Sequence, residues 1–236
     1  MFFRLESNAA NVDGVAAHQA LWDILNQNSN ALRGVQTHKK ECTSMSEYQF
    51  HDFLAMDEPL SSDDIDALRH ISTRARITSV SFTNHYNWGD LKAEPIELMK
   101  RFFDAYVYVA HWGTACFYLR IPLEFFSQDM FQGLESMDAF TTKKIDSYWF
   151  LCWEFNDSEG DSFFEGEDGE DWMSRLRPIR EEIKRGDFRS LYIGWLAGIS
   201  QDELEDDDVE PFPPMTMFPK HGRSVTANIK SPYIGL

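Results

Sequence analysis

The sequence lacks the short motifs that mark the commonest catalytic folds. No G-x-x-x-x-G-K-S/T, G-x-G-x-x-G, H-E-x-x-H or G-x-S-x-G occurs in the 236 residues. These absences argue against a P-loop nucleotide hydrolase, a Rossmann dehydrogenase, a zinc protease and the common hydrolase triads. Zinc-finger spacing is absent as well, so the sequence predicts no metal site and no cofactor.

Cysteine is scarce and unpaired in pattern. The chain has three cysteines, an odd number, and none stands in a C-x-x-C pair. Cys116 and Cys152 lie in apolar runs that are typical of strands. We therefore expect small buried thiols in a reducing compartment and no disulfide.

Long apolar runs are also missing. The first residues carry Arg4 and Glu6 and no apolar core of a secretory signal. The most apolar region, 102–126, falls short of a membrane span because charged and polar residues interrupt it. These are Asp104, His111, Arg120 and Glu124. The sequence predicts a cytoplasmic protein that does not contact a membrane.

Basic residues are few, and the acidic excess is confined to the middle of the chain. Lys and Arg number 22 against 39 Asp and Glu, which gives a net charge of −17. Residues 45–210 hold 15 of the basic and 35 of the acidic side chains. A body this acidic repels phosphate backbones, so nucleic acid is not expected as a direct partner. Solubility, a divalent cation or a protein partner with a basic surface would each account for the charge.

The charge distribution and composition divide the chain into three parts. Residues 1–44 are expected to be an extension that is poorly ordered or not native, with one short helix from Asp13 to Leu25. Residues 45–210 are expected to form a single acidic α/β domain. Residues 211–236 form a tail, for which truncation is one interpretation.

Hydrophobic periodicity predicts the elements of the body in the order β-α-β-α-β-β-α-α. This order predicts the α/β class, as an α+β sandwich with helices packed on a small mixed sheet. The predicted strands are Tyr48–Leu54, Ile77–Asn84, Thr114–Ile121 and Tyr148–Phe155. The predicted helices begin at the hydroxyl and acidic residues that follow Pro59, at Pro95, near Trp172 and at Asp187. The third is disturbed at Pro178 and closes at Gly186.

The predicted helix from Pro95 to Trp112 carries the first candidate site. Polar residues recur between two apolar stripes, and they either face solvent or line a cleft. In a cleft, Asp104 and His111 would suit general acid/base catalysis, and Arg101 and Tyr108 would bind a ligand. A solvated stripe is the simpler interpretation, because Asp104 and His111 would lie about 10 Å apart along the axis.

The loop after the strand Ile77–Asn84 carries the second candidate site. His85 could act as a base or a ligand, and Trp88 and Asp90 could complete a binding site, because α/β proteins often place ligand groups in such loops. The alternative is a turn built from residues that favour turns. A third feature, the acidic stretch 157–171, fails the EF-hand spacing and is predicted to be a solvated loop.

Three functional hypotheses remain open at this point. The first is a non-catalytic protein-interaction module that uses its acidic surface or its aromatic residues. The second is an enzyme or small-ligand binder with one cleft, formed by His85, Asp90, Arg101, Asp104, Tyr108 and His111. The third is an acidic mimic of nucleic acid, which requires regularly placed surface carboxylates.

Several sequence blocks together resemble a family of uncharacterised bacterial proteins. The blocks are 53–60, 68–69, 71–78, 98–105 and 191–196, with the separate residues Asn84, Tyr86, Trp88, Gly89, Asp90, Tyr108, Ala110, Trp112, Gly113 and Thr114. The resemblance covers about 48–210. Members of that family start near the position of Met45 and continue past the end of this chain. The resemblance implies a bacterial origin, but it lends no activity and no catalytic residue.

Overall fold

The part of the chain that the structure describes is built around one seven-stranded β-sheet. The computed structural model describes residues 16–21, 48–126, 139–156 and 169–200, with side chains described as far as residue 197. The strands are β1 Gln49–Leu54, β2 Arg76–Ile77, β3 Ser81–Tyr86, β4 Ala105–Ala110, β5 Thr114–Pro122, β6 Phe140–Ile145 and β7 Tyr148–Asn156. Their order across the sheet is β2-β3-β1-β4-β5-β7-β6.

All six pairings in this sheet are antiparallel. With helices packed on the sheet, the protein belongs to the α+β class, which confirms the predicted fold class. The sheet is larger than predicted and is not mixed. The order of the elements along the chain did not predict this antiparallel arrangement. Strand β1 is inserted between β3 and β4, which follow it in the chain.

Helices cover both faces of the sheet. They are α1 Ser62–Ile71, α2 Pro95–Arg101, α3 Trp172–Leu176, α4 Pro178–Lys184 and α5 Arg189–Ser200. On one side of the sheet, called face 1 here, Phe50 and Trp153 pack with α3, α4, α5 and the helical segment 16–21. On the other side, face 2, Phe53 and Tyr106 pack with α1 and α2. The two apolar clusters form the core.

The predicted helix Pro95–Trp112 is wrong in its second half. Helix α2 ends at Arg101, and the chain enters strand β4 at Ala105. The sequence of β4 is Ala-Tyr-Val-Tyr-Val-Ala, and five of its six residues are buried. A strand buried on both faces has few polar positions, so its pattern also fits two apolar stripes of a helix. The valine and tyrosine residues of this segment favour the strand, because β-branched and aromatic residues are enriched in strands.

Other element predictions are confirmed with small changes. Ser61 caps α1 in a capping box with Asp64, as the hydroxyl and early acids indicated. The predicted strand Ile77–Asn84 is instead a tight hairpin, in which Thr78 N–H donates to Ser81 O at 2.9 Å. Strand β6 was not predicted.

The C-terminal helices follow the predicted breaks. Pro178 separates α3 from α4, and Gly186, at φ 86°, ends the second of them. Helix α5 crosses face 1 at Gly194, where an added Cβ would lie 2.9 Å from Phe140 Cβ and from Trp153 Nε1. This glycine therefore permits close packing of α5 against β6 and β7.

Replacing Gly194 with alanine should therefore destabilise the protein. We expect a loss of about 1–3 kcal/mol in the free energy of unfolding, because a methyl group would crowd two buried side chains. Urea unfolding of the wild type and Gly194→Ala measures this. An uncrowded helical glycine would give the opposite result, a gain of about 0.5–1 kcal/mol from helix propensity.

The helical segment 16–21 packs into the body of the protein. Ala17, Ala20 and Leu21 are fully buried in the face 1 core. His18 Nε2 lies 3.3 Å from Glu182 Oε2 of α4, and both side chains are nearly buried. The helix predicted between Asp13 and Leu25 is confirmed over these residues. Part of the sequence before residue 45 therefore belongs to the folded core.

Candidate functional site

A cleft lies along the outer edge of strand β3. Strand β2 pairs with only Phe82 and Thr83 of β3. Among the described strands, the remaining stretch Asn84–Tyr86 is paired on its β1 side alone. The cleft beside this edge has a volume of about 260 Å³. It is lined by Arg74, Arg76, Thr83, Asn84, His85 and Glu170.

His85, a predicted site residue, is held on face 1 at the cleft. Its Nδ1 lies 3.2 Å from Tyr48 Oη, and its Nε2 lies 3.5 Å from Glu170 Oε1. Gly169, at φ 79°, brings Glu170 there by close approach to the sheet: an added Cβ would lie 2.6 Å from Phe50 Cδ1. The imidazole therefore has a protein neighbour at each nitrogen, which fixes the orientation of the ring at the cleft.

A cross-strand row places a carboxyl group beside the cleft-lining residue Thr83. Arg76 pairs with Thr83, and Thr83 pairs with Asp52, so the three side chains share face 1. Thr83 Oγ1 donates to Asp52 Oδ1 at 2.8 Å. Burial raises the pKa of Asp52 to about 6, and the Glu170 charge adds to this increase. The Thr83 hydrogen bond and the Arg76 charge lower the pKa but do not outweigh burial. This carboxyl group can exchange a proton near neutral pH.

Ser72 fixes the turn that brings Arg74 to the cleft. Its Oγ accepts from Arg74 N at 3.3 Å and from Ala75 N at 3.2 Å. Asn84 Nδ2 donates to the same oxygen at 2.9 Å, which ties the turn to β3. Two exposed guanidinium groups, those of Arg74 and Arg76, thus stand beside an open strand edge. Such a cleft can bind an anionic group.

Tyr108 and Asp90, two further predicted site residues, meet on face 2. Tyr108 Oη donates to Gln49 Oε1 at 3.2 Å. Gln49 Nε2 donates in turn to Asp90 Oδ1 at 3.0 Å and to Gly89 O at 3.2 Å. This chain of hydrogen bonds fastens the loop after β3 to the sheet. Trp88 in that loop is 74% exposed.

His51 lies beside this chain and was not predicted as a site residue. Burial lowers its pKa to about 4, so the ring is neutral at physiological pH. Its Nδ1 lies 3.0 Å from Tyr106 Oη, and its buried Nε2 has no hydrogen-bond partner among the described residues. Aromatic rings of Tyr86, Tyr106 and Tyr108 surround it.

Asp104 lies at the opposite end of β4, in a buried ion-pair network. Its Oδ1 accepts from Arg120 Nη2 at 2.8 Å, and its Oδ2 accepts from the backbone N–H of Met56 at 2.7 Å and of Asp57 at 3.0 Å. Arg180, fully buried, joins Asp57 to this network. Each carboxylate oxygen of Asp104 is engaged within the fold, which is the arrangement of a structural residue.

The six residues of the predicted cleft do not surround one site. Strand β4 spans about 20 Å between Asp104 and His111. His111 is exposed after β4, and its backbone N–H donates to Tyr48 O, so it shares the His85 end of the sheet. Arg101 is exposed on α2, with its guanidinium 4.6 Å from the Phe102 ring centroid.

The sequence pattern missed Asp52, Arg74, Arg76 and Glu170. Glu170 belongs to the acidic stretch that was predicted to be a solvated loop. Asp52 and Arg76 come together only through the register of β2, β3 and β1. A register of this kind cannot be deduced from residue spacing, because each strand pattern is compatible with several partners.

Two other site classes are not found in the described residues. No group of three or more His, Cys, Asp or Glu residues is placed to hold a metal ion in this part of the chain. No described helix has the length and apolar character needed to cross a membrane.

Comparison with known proteins gives no relative that could assign the site. No protein-family model, no curated protein and no solved structure matches this chain. The resemblance to a family of bacterial proteins stays a prediction, and the cleft has to be understood from its own chemistry.

Proposed function

We propose that this protein is a non-catalytic protein-interaction module that binds an extended segment of a partner protein along the outer edge of β3. One observation carries the proposal: the edge at Asn84–Tyr86 lacks a described strand partner and borders a cleft of about 260 Å³. An exposed strand edge is a template for pairing with another chain.

The hydrogen-bond pattern supports addition of a strand opposite His85. In an antiparallel ladder, the backbone groups of alternate residues point to the same side. Ser81 and Thr83 direct theirs toward β2, as the hydrogen bond from Thr78 N to Ser81 O indicates. The backbone N–H and C=O of His85 therefore point outward, past the end of β2. They are available to a strand that continues the line of β2.

Exposed indoles at the same end of the sheet provide further contact area. Strands β3 and β4 both flank β1 and run in the same direction, so Trp88 and Trp112 follow strand ends at the same end of the sheet, on either side of β1. Trp88 is 74% exposed and Trp112 is 44% exposed. Tryptophan is enriched among the residues that dominate binding energy in protein interfaces.

The charge of the protein favours a partner with a basic surface. A net charge of −17 would speed its encounter with such a protein and repel nucleic acid. A bacterial and cytoplasmic setting belongs to the same proposal. It is supported by the sequence resemblance and by Cys116 and Cys152, which are free thiols within β5 and β7.

A second candidate function, an enzyme or small-ligand binder, is favoured by one observation. Asp52, with a pKa of about 6, is hydrogen-bonded to Thr83, which lines a cleft together with His85 and Glu170. Groups whose pKa values are shifted toward neutrality are common at catalytic sites. A thermal-shift panel of small carboxylic acids, phosphates and sugars tests this function: a stabilising ligand whose effect is lost in Asp52→Asn would support it.

The strand-addition proposal is tested by removing one outward N–H group. Peptides selected from a random display library would be compared on the wild type, His85→Ala and His85→Pro. The alanine variant keeps the backbone donor, whereas proline removes it without touching the β1 ladder. We expect His85→Pro to weaken binding about tenfold relative to His85→Ala, the cost of one or two main-chain hydrogen bonds.

Amide hydrogen exchange provides the direct readout of the same prediction. The His85 amide should exchange rapidly in the free protein and become protected when the peptide binds. Circular dichroism must show that both variants are folded. Equal peptide binding by the proline and alanine variants, with no new protection at His85, would rule out strand addition at this edge.

A further inference from the structure

Two neighbouring arginines stand in a strongly acidic protein, at the cleft beside β3. Arg74 and Arg76 are both exposed, and both line the cleft. The nearby Arg69 is committed to the fold, because its Nη1 donates to Ala75 O at 2.7 Å. Guanidinium groups that share a cleft are suited to carboxylate and phosphate oxygens, which they can bind through paired N–H groups.

The charges around the cleft oppose one another. The Glu170 carboxylate on the 169–171 turn lines the cleft with the two guanidinium groups, and the Asp52 carboxyl group lies beside Thr83 on face 1. His85 of β3 lines the same cleft. The charges of these two guanidinium groups and two carboxyl groups sum to zero when both carboxyl groups are ionised and to +1 when Asp52 is protonated. An incoming anion therefore competes with Asp52 for Arg76.

We propose that the cleft is a carboxylate-binding site, in which Arg74 and Arg76 hold an acidic side chain of the docked segment and ionised Asp52 opposes its binding. The source of the carboxylate, a partner segment, rests on the proposed strand addition. The site itself rests on the two guanidinium groups, the cleft and the row Arg76–Thr83–Asp52.

The register assigns a position to the acidic residue. A strand that continues the line of β2 would place one residue opposite His85, two positions from Arg76 along the same edge. Cross-strand neighbours share a face, so the side chain of that residue would lie on face 1, with those of Arg76, His85 and Asp52. The preferred residue at this position is aspartate or glutamate.

The test uses a matched pair of short β-forming peptides, one with a central glutamate and the other with glutamine. Binding is measured by fluorescence anisotropy at low salt on the wild type, Arg74→Gln, Arg76→Gln and the exposed control Arg177→Gln. We expect the wild type to prefer the glutamate peptide by about fivefold. Either cleft variant should remove the preference, and the control should keep it.

Asp52→Asn tests the electrostatic competition. The wild type and this variant are compared at about pH 8, where Asp52 is ionised in the wild type. We expect Asp52→Asn to bind the glutamate peptide several-fold more tightly than the wild type, and the glutamine peptide equally. Lowering the pH toward 5.5 should tighten glutamate-peptide binding to the wild type more than to the variant.

The outcomes separate this inference from the proposed function. Peptide binding that needs the His85 N–H but shows no glutamate preference overturns the carboxylate site and leaves strand addition standing. A second outcome is that millimolar acetate or inorganic phosphate stabilises the wild type but not Arg76→Gln, and that no peptide binds. This result supports an oxyanion site and overturns strand addition. The carboxylate site is overturned if Arg74→Gln and Arg76→Gln bind each ligand as tightly as the wild type does. The ligands are the two peptides and acetate.

Discussion

Replacing Asp104 with asparagine is expected to lower the free energy of unfolding by about 3–5 kcal/mol. The side chain is 1% exposed and accepts hydrogen bonds from Arg120 and from the backbone of Met56 and Asp57. The amide keeps the volume but removes the negative charge that compensates Arg120 and the fully buried Arg180. Breaking a buried ion pair on one side leaves the other charge unpaired, which accounts for the size of the loss.

Urea unfolding of three proteins measures this effect. Asp146→Asn is the matched control, because Asp146 is exposed in the β6–β7 turn at φ 53°, a conformation that asparagine adopts as readily. The control should stay within about 0.5 kcal/mol of the wild type. A stable Asp104→Asn variant that had lost ligand binding would contradict the structural role and restore the catalytic interpretation of this residue.

Replacing Asp52 with asparagine is expected to stabilise the protein above neutral pH by about 2–3 kcal/mol. Burial raises the pKa of Asp52 to about 6 in the folded protein, from 3.8 as the ordinary value. The folded state therefore binds this proton more tightly than the unfolded chain does. The contribution of Asp52 to stability is greatest below pH 3.8 and is lost as the pH rises to about 6. Asparagine does not titrate, and its Oδ1 can accept the Thr83 hydrogen bond.

Chemical unfolding of the wild type and Asp52→Asn across pH 4–8 gives the measurement. The two stabilities should agree near the acidic end and separate as the pH rises toward about 6, with the variant more stable. Other acid-sensitive groups, including His51, are common to both proteins and cancel in the difference. A constant difference at all pH values would show that Asp52 has an ordinary pKa and that the cleft lacks this competing charge.

Local sequence signals predicted those elements whose structure depends on near neighbours. The alternating apolar pattern of β5 and the continuous apolar run of β7 predicted both strands to within a residue or two. The hydroxyl and acidic residues after Pro59 predicted the start of α1. Pro178 and Gly186 marked the helix breaks. Each of these signals acts through one turn of backbone or through the pleat of a single strand.

The segment after α2 shows where local signals fail. A stretch that is apolar at almost every position satisfies helical and strand templates together, and its true state depends on what covers it. Here β1 and β5 provide hydrogen bonds on both sides of β4, and the strand state follows. Because this segment was predicted to be a helix, Asp104, Tyr108 and His111 were placed on one polar face of that helix. In the structure, Asp104 and His111 lie at opposite ends of strand β4.

The sequence by itself determined an acidic α+β protein with free thiols at Cys116 and Cys152 and the positions of most breaks, and it predicted His85 as a site residue. Tertiary structure alone decided that β1 inserts between β3 and β4, that β2 stops after two pairs, and that Arg76, Thr83 and Asp52 form one row. The physical reason is that strand partners and register are set by hydrogen bonds and packing between distant segments. A carboxyl group acquires its pKa from the same distant neighbours, so the cleft exists only in the folded chain.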